Sequence, residues 1–459
     1  MTFLKPNIKQ PGIFLLDDTG TKFISGVIWL DSNEGVRAEI PFFDLDSSHE
    51  DIYDWFTESK PPENLLFLGD GVRVSLFGAT VARHSMGSFV SMGGLRFHCA
   101  VNATYRGSLA KELRVSSVRS EVDGLAYWTQ LASVKMDRSL EKGPAGRPQV
   151  KAKYEVQVQH GLQWLQGEAK MSLQSTWKPS SDRPGIHLDD LVTLKSRFKT
   201  PRPVDDHLYH HRCFRDFITI IHGCGIYFRR HTARDQAFPY MTLDGSVHGA
   251  ENVELICNRT VPDYGHPEPS SRALFQPILS IKSVTPKLLT TWAGKYKEWA
   301  RAILPLVGVL QRSGLFVEDI LVNASMSVEA TGQLIGQVSG EWVTYGKNGS
   351  ATTATYYFRL LEYSSIDLSR VSRSNQDSAR ALADVYNSVK HADRGPFPEF
   401  AFAHFGGQLA LLLARISIIK LLAPGNREID SFASSWAIGS VLDNMTHSRV
   451  RIDSGKFRQ

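Results

Sequence analysis

The chain has 459 residues, of which 42% are hydrophobic and 22% charged, a balance that excludes a disordered or fibrous protein and gives room for two or three domains. Lys and Arg total 52 against 47 acidic residues, a formal charge of +5. That tilt permits an anionic partner such as RNA without requiring one. Cys99, Cys213, Cys224 and Cys257 form no CxxC pair, which argues against a disulfide framework or a zinc ribbon and for a reducing cytosol. The N-terminal MTFLKPNIKQPG lacks the apolar run of a signal peptide. Arg415 and Lys420 interrupt the apolar stretch 410–422, so it reads as a buried helix and not a membrane span. A cytoplasmic protein with no membrane partner, no cofactor and no metal is the expectation.

The first half is strand-like. GIFLL, FISGVIWL, VRAEIPFF and GVRVSLFGATV are short, rich in β-branched and aromatic residues, and separated by Asp, Gly, Asn and Ser. LRFHCAVNATY and ELRVSSVRSEV continue the pattern, with Leu113, Val115 and Val118 on one buried face. The loop EKGPAGRP resets the chain before YEVQVQ, AKMSLQSTW and LVTLKSRFK. Residues 2–199 therefore read as mostly antiparallel sheet.

Around Val204 the period changes. DDHLYHHRCFRDFITIIHG predicts a helix starting at Asp205 or Asp206, with Leu208, His211, Phe214, Phe217, Ile218 and Ile221 near one face. One or two strands follow, near GIYFRRHT and VELICN, then a Pro- and Ser-rich loop. From Thr285, an N-cap with Pro286 behind it, the text is almost entirely helical. Helices are expected over FVEDILVNASMSVEATGQLIG, RVSRSNQDSARALADVYNSVKHAD, FPEFAFAHFGGQLALLLARISIIKLL and DSFASSWAIGSVLDNM, with a polar, β-branched stretch at 350–359. The fold class is α+β: an N-terminal, mainly antiparallel β domain (1–285, with a lobe split near 140–150) followed by an α-helical bundle (286–459).

Two clusters bear chemistry. His207, His210, His211, Cys213, His222 and Cys224 suggest metal, but no second ligand pair follows at zinc-finger spacing, and they read as helix-surface and half-buried groups. No GxxxxGK[ST] loop is present. In the segment 378–394, at roughly 100° per residue, Leu382, Val385, Tyr386 and Val389 gather on one side and Arg380, Asp384, Asn387 and His391 on the other. Such a stripe suits RNA cleavage: a histidine titrates near neutral pH and a cation stabilises the crowded phosphate, with no metal needed. On the stripe alone, a solvated helix face is the favoured reading.

The block YNSVKHADRG (386–395) resembles the motif of HEPN domains, helical bundles that act as metal-independent ribonucleases. The N-terminal half resembles the N-terminal domain that accompanies such bundles in ApeA-type anti-phage abortive-infection proteins. PGIFLLDD, FISGVIWL with Gly26, FLGDGVRVSLFGATV and DGLAYWTQL carry that likeness. The resemblance implies a β-rich sensor of a phage component and a toxic endoribonuclease acting on single-stranded RNA loops, tRNA among them. It implies His391 as general acid or base and Asn387 as its polar partner. The motif arginine falls at Tyr386, which carries no permanent charge. Lys390, Arg394 or the partner subunit's Arg380 would supply the cation in a homodimer or higher oligomer, with Arg380, Lys390 and Arg394 contacting RNA. The alternative is a catalytically degenerate HEPN bundle that binds RNA or a partner. A ligand-binding β domain using Trp128 and Trp164 is a third reading, against which both tryptophans are expected in the core.

Overall fold

The computed structural model describes residues 3–16, 20, 22–42, 50–87, 90–103, 112–142, 147–180, 187–242, 246–394 and 396–459. Parts of six quoted segments lie outside these: Met1 and Thr2, Asp17 and Asp18, Phe43, Thr104 and Tyr105, residues 143–146 of the EKGPAGRP loop, and Gly395. The observed class is as expected: an antiparallel β region followed by a helical one.

The first seven elements are β1 (Gln10–Leu15), β2 (Phe23–Asp31), β3 (Gly35–Phe42), α1 (Glu50–Thr57), β4 (Asn64–Gly69), β5 (Val72–Ser85) and β6 (Ser91–Val101). Their strands pair in the order β6-β3-β2-β1-β4-β5, and β5 pairs back onto β6, closing a six-stranded barrel. Alternate residues such as Phe14, Ile28, Ile40, Leu65, Phe67, Leu76 and Phe97 fill it. Helix α1, not foreseen in the sequence, adds Trp55 and Phe56 to that core. Gly93 makes this packing feasible, because a Cβ there would lie 2.0 Å from the Phe56 ring.

The chain continues through β7 (Arg114–Val122), α2 (Leu125–Thr129), β8 (Val134–Lys142), β9 (Pro148–Val156), β10 (His160–Gln166), β11 (Ala169–Ser180), β12 (His187–Pro203), α3 (Val204–His222), β13 (Phe228–Met241) and β14 (Val247–Cys257). Strands β10-β11-β12-β7-β13-β14 form an open sheet. It joins the barrel where β14 takes up the edge of β6 that β3 has left, through only three register pairs, Leu255–Val101, Ile256–Ala100 and Cys257–Cys99. The interval 140–150 covers the end of β8 and the start of β9, which pair as a separate hairpin. Its pairing puts Met136, Leu140, Val150 and Tyr154 on one exposed apolar face with Arg138, while Lys135, Asp137, Lys153 and Glu155 take the other.

The remaining elements are α4 (Ser271–Leu274), α5 (Pro286–Lys295), α6 (Ala300–Gln311), α7 (Val317–Ile335), α8 (Thr353–Ser364), α9 (Asn375–Lys390), α10 (Phe400–Leu422), α11 (Arg427–Phe432), α12 (Trp436–His447), β15 (Arg451–Asp453) and β16 (Lys456–Arg458). Helix α5 opens as its sequence dictates, the Thr285 hydroxyl accepting from the Leu288 N–H with Pro286 in the first turn. Helix α8 corrects the reading of 350–359 as a non-helical stretch. A capping box between Thr352 and Thr355 starts it, and Tyr357, Leu360 and Leu361 bury one face, outweighing the β-branched composition. Helix α10 is long and apolar enough to cross a membrane by length and composition alone, but 78% of its apolar window is buried within the bundle.

Helix α3 packs against the open sheet on one side and the helices on the other, and one continuous hydrophobic core runs through it. On the helical side, Trp292 donates its Nε1–H to the Cys213 carbonyl at 2.8 Å and the Tyr296 hydroxyl donates to Asp216 at 2.5 Å. Arg415, which interrupts the apolar run of α10, caps the end of α3 by donating to the carbonyls of Ile220 (2.8 Å) and Ile221 (3.2 Å). Gly223 makes room for it: φ is +73° there, and a Cβ would lie 2.2 Å from the guanidinium carbon.

On the sheet side, His207 and His211 are fully buried, which corrects their reading as surface or half-buried groups. They belong to a chain with a fixed direction. His207 Nε2 faces the Val115 carbonyl at 3.0 Å and must donate, so its Nδ1 accepts from Ser196 at 2.8 Å. Ser196 then accepts from His211 Nε2 (2.8 Å), His211 Nδ1 accepts from Ser120 (2.5 Å), and Ser120 accepts from His231 Nδ1 (2.7 Å). Every hydroxyl proton is committed, so an added imidazole proton on His207 or His211 would break a link.

Trp292 is buried against α3, and Trp292→Ala is expected to cost about 3–5 kcal/mol in denaturant unfolding. The histidines set an acid limit. Burial lowers His207 and His222 to about 4 and His231 to about 3, below the ordinary value of 6.5. The folded state therefore favours their neutral forms, and this stabilisation is intact above pH 6.5 and lost as pH falls toward 4. At pH 5 the loss is on the order of 2 kcal/mol for each such group. Melting temperature is expected to drop between pH 7 and pH 5; a flat profile over that range would contradict the network.

Candidate functional site at the end of helix α9

Helix α9 begins at Ser374, whose hydroxyl accepts from the Asp377 N–H at 3.0 Å, and ends at His391. Leu382, Val385 and Tyr386 are buried as the helical wheel predicts, and Asp384 is exposed on the opposite side. Asn387 and His391 stand one turn apart at the C-terminal end, tied through their backbones by a 2.9 Å bond from the His391 N–H to the Asn387 carbonyl. His391 leaves the helix with φ −127° and ψ 112°. The chain then folds back, the Arg394 N–H donating to the His391 carbonyl at 3.1 Å. The Ser388 hydroxyl donates to the Asp384 carbonyl within the helix at 2.8 Å and lies 3.5 Å from the Arg394 carbonyl of this turn.

Among the described residues, the side chains of Asn387, His391 and Arg394 make no hydrogen bond or ion pair. Asn387 and His391 are half-buried and Arg394 is exposed. An imidazole, an amide and a guanidinium are thus grouped at one helix end and open to an incoming ligand.

The other two candidates are differently placed. Lys390 folds back over Tyr386, its ammonium 2.9 Å from the phenol oxygen and 5.0 Å from the ring centre. Burial raises the Tyr386 phenol, while the hydrogen bond to that phenol raises Lys390 and keeps it charged. Arg380 lies toward the other end of α9. It donates to the Val343 carbonyl at 2.7 Å and packs against Gly455 of the β15–β16 turn. Eleven residues separate Arg380 from His391, about 16 Å along a helix. One chain therefore brings together Asn387, His391 and Arg394, with Lys390 alongside, and leaves Arg380 apart.

Sequence reasoning assigned no role to Glu329 of α7. Its carboxylate accepts from Thr353 at 2.7 Å and raises both Tyr386 and Lys390, so it is the nearby counter-charge to the lysine. No local pattern signals it, because it reaches the site from another helix. Trp128 and Trp164, both buried, are core residues as expected, and Trp128 donates to the Leu279 carbonyl at 3.0 Å.

No curated protein and no solved structure matches the chain. A family model does: residues 11–236 match ApeA N-terminal domain 1. The match spans the barrel and most of the open sheet, including the α2 segment DGLAYWTQL and all of α3. This family fits an anti-phage defence protein. The N-terminal region is thus an ApeA N-terminal domain, and the chain is an ApeA-type protein.

Proposed function

We propose that this protein acts in the cytoplasm as an abortive-infection ribonuclease, its β region sensing a phage component and its helical region cutting RNA as a HEPN-type bundle. The observation that carries the reading is the group of unpartnered Asn387, His391 and Arg394 side chains at the end of α9, behind an ApeA N-terminal domain. The exposed apolar face of the β8–β9 arm supports partner recognition.

The reaction is transfer of the backbone phosphate to the adjacent 2′-OH. The 2′-oxygen bonds phosphorus as it loses its proton, and the bond to the 5′-oxygen breaks as that oxygen gains one. A base and an acid are both required, and one chain offers a single histidine at this site. Two-fold pairing of α9 ends would supply two copies of His391, one for each role, and would leave Arg380 of each chain at the far end of its helix. Asn387 orients the imidazole or contacts phosphate, and Arg394 and Lys390 stabilise the charge developing on the phosphoryl oxygens. None of these steps draws on a metal or cofactor. Single-stranded loops, tRNA loops included, are the fitting substrates, since unstacked nucleotides adopt in-line geometry freely.

A second reading has its own support. Tyr386 occupies the motif-arginine position and is fully buried, so no cation projects from residue 386 itself. On that reading the bundle binds RNA or a partner without cutting.

His391→Ala is expected to reduce cleavage of single-stranded RNA at least ~100-fold, the scale of lost acid–base catalysis, while leaving the fold intact. Wild-type protein that binds but does not cleave, or cleavage unchanged in His391→Ala, would favour the second reading. Tyr386→Phe tests the helix face separately: it removes the Lys390 contact but keeps the buried ring, and activity should change by less than about tenfold. Added Mg²⁺ should not be required.

A further inference from the structure

The barrel and the open sheet meet through three β6–β14 register pairs, one fewer than the four that join β1 to β4. Beside the last of these pairs stand three side chains with metal-ligating atoms: His98 and Cys99 of β6 and Cys257 of β14. Their donor atoms all lie within 4.8 Å of one another. Cys99 and Cys257 are buried, and His98 is half-buried. Asp205, in the first turn of α3, puts its Oδ1 3.1 Å from His98 Nε2, and Arg259 lies 3.6 Å from the other carboxylate oxygen.

The local backbone is arranged around this group. Gly78, opposite His98 on β5, has φ +65°, and a Cβ there would lie 2.8 Å from the His98 Cβ. The Asn258 N–H donates to the His98 carbonyl at 3.0 Å, continuing the seam one residue beyond Cys257. A cavity of about 180 Å³, lined in part by His98, Cys99 and Asp205, gives a path from solvent.

We infer that His98, Cys99 and Cys257 bind one zinc ion, with Asp205 as the fourth donor, and that the ion clasps the barrel to the open sheet and to the start of α3. Zinc takes Cys, His and carboxylate ligands in a tetrahedron with bonds of about 2.0–2.3 Å, which sets donors about 3.3–3.8 Å apart. Contraction of the group by at most about 1.5 Å meets that geometry, and a 3.1 Å His98–Asp205 contact already lies near it. The thiols lose their protons to the medium on binding, with no redox change. Two thiolates and one carboxylate against a divalent cation leave one negative charge, and Arg259 faces it.

The test uses the full chain, purified under reducing conditions with zinc supplied and then desalted. Metal analysis should give one zinc per chain in the wild type and in Cys213→Ser, whose thiol is buried elsewhere on α3. Cys99→Ser and Cys257→Ser should lose it, and Asp205→Asn should weaken binding 10–100-fold. Should the serine variants fail to fold, cobalt-loaded wild type decides the matter through its thiolate-to-metal charge-transfer absorption. Zinc at background level in the wild type, or no such absorption, overturns the inference. So does a Cys99–Cys257 disulfide found as the resting form. Chelation should also lower the melting temperature of the wild type but not that of a folded Cys257→Ser.

Discussion

The burial of α3 on both of its sides is the constraint on which the rest of the molecule depends. A helix covered on both sides must satisfy its buried polar groups within the protein, and several here are met in distinct ways, although Thr219 Oγ1 has no partner among the described residues. Toward the sheet, two histidines and the hydroxyls of Ser120 and Ser196 form a chain that ends on the Val115 carbonyl. Toward the helices, Asp216 takes the Tyr296 hydroxyl, and the C-terminal carbonyls take Arg415. The Arg415 guanidinium is buried with no carboxylate beside it among the described residues. Desolvation lowers it to about 10, and the negative end of the α3 dipole offsets its charge.

This arrangement bears on how the two regions communicate. Helix α3 belongs to the ApeA N-terminal domain by its sequence match, yet its far face is core to the helical region. A displacement of the sheet that shifts α3 by a fraction of a turn would disturb Trp292 on α5 and Arg415 on α10 together, because close-packed interiors rearrange and do not stretch. Helix α10 in turn packs on α9 and α7, the helices that carry His391 and Glu329. A contiguous packed route therefore joins the β region to the α9 site without any flexible linker.

Much of this was legible in the sequence, and for identifiable reasons. Alternation marked the barrel strands, a 3.6-residue period marked α3, α7 and α9, and Thr285-Pro286 marked the start of α5, because these are local signals. Three features besides α1 and Glu329 were not legible. Helix α8 depends on a capping box and on tertiary burial of Tyr357 and Leu360, which outweigh its β-branched composition. The histidines of α3 read as surface groups because their partners lie on strands whose packing against the helix no local pattern reveals, Ser120 being 91 residues from His211. The His98, Cys99 and Cys257 group is hidden for the same reason: ligand spacing reveals a site only when the ligands share a local segment, and here two strands of different lobes supply them.

On the proposed reading of α9 as a HEPN motif helix, the motif position at 386 is changed without removing its charge. An arginine at position 386 would have to bury its stem in the core and bring its guanidinium out past Glu329. Tyrosine fills that volume with an uncharged ring, and its hydroxyl becomes the anchor for Lys390 one turn later. The ammonium is held over the ring, so a cation still stands at the tip of side chain 386, delivered by a different residue. Lysine is a point charge and not a planar fork, so it can neutralise a phosphate without gripping it bidentately. The geometric demand then passes to Arg394, the guanidinium near His391 that has no partner among the described residues. On this argument, what separates a cutting bundle from a merely binding one is whether the turn after α9 can bring Arg394 and His391 onto the same phosphate.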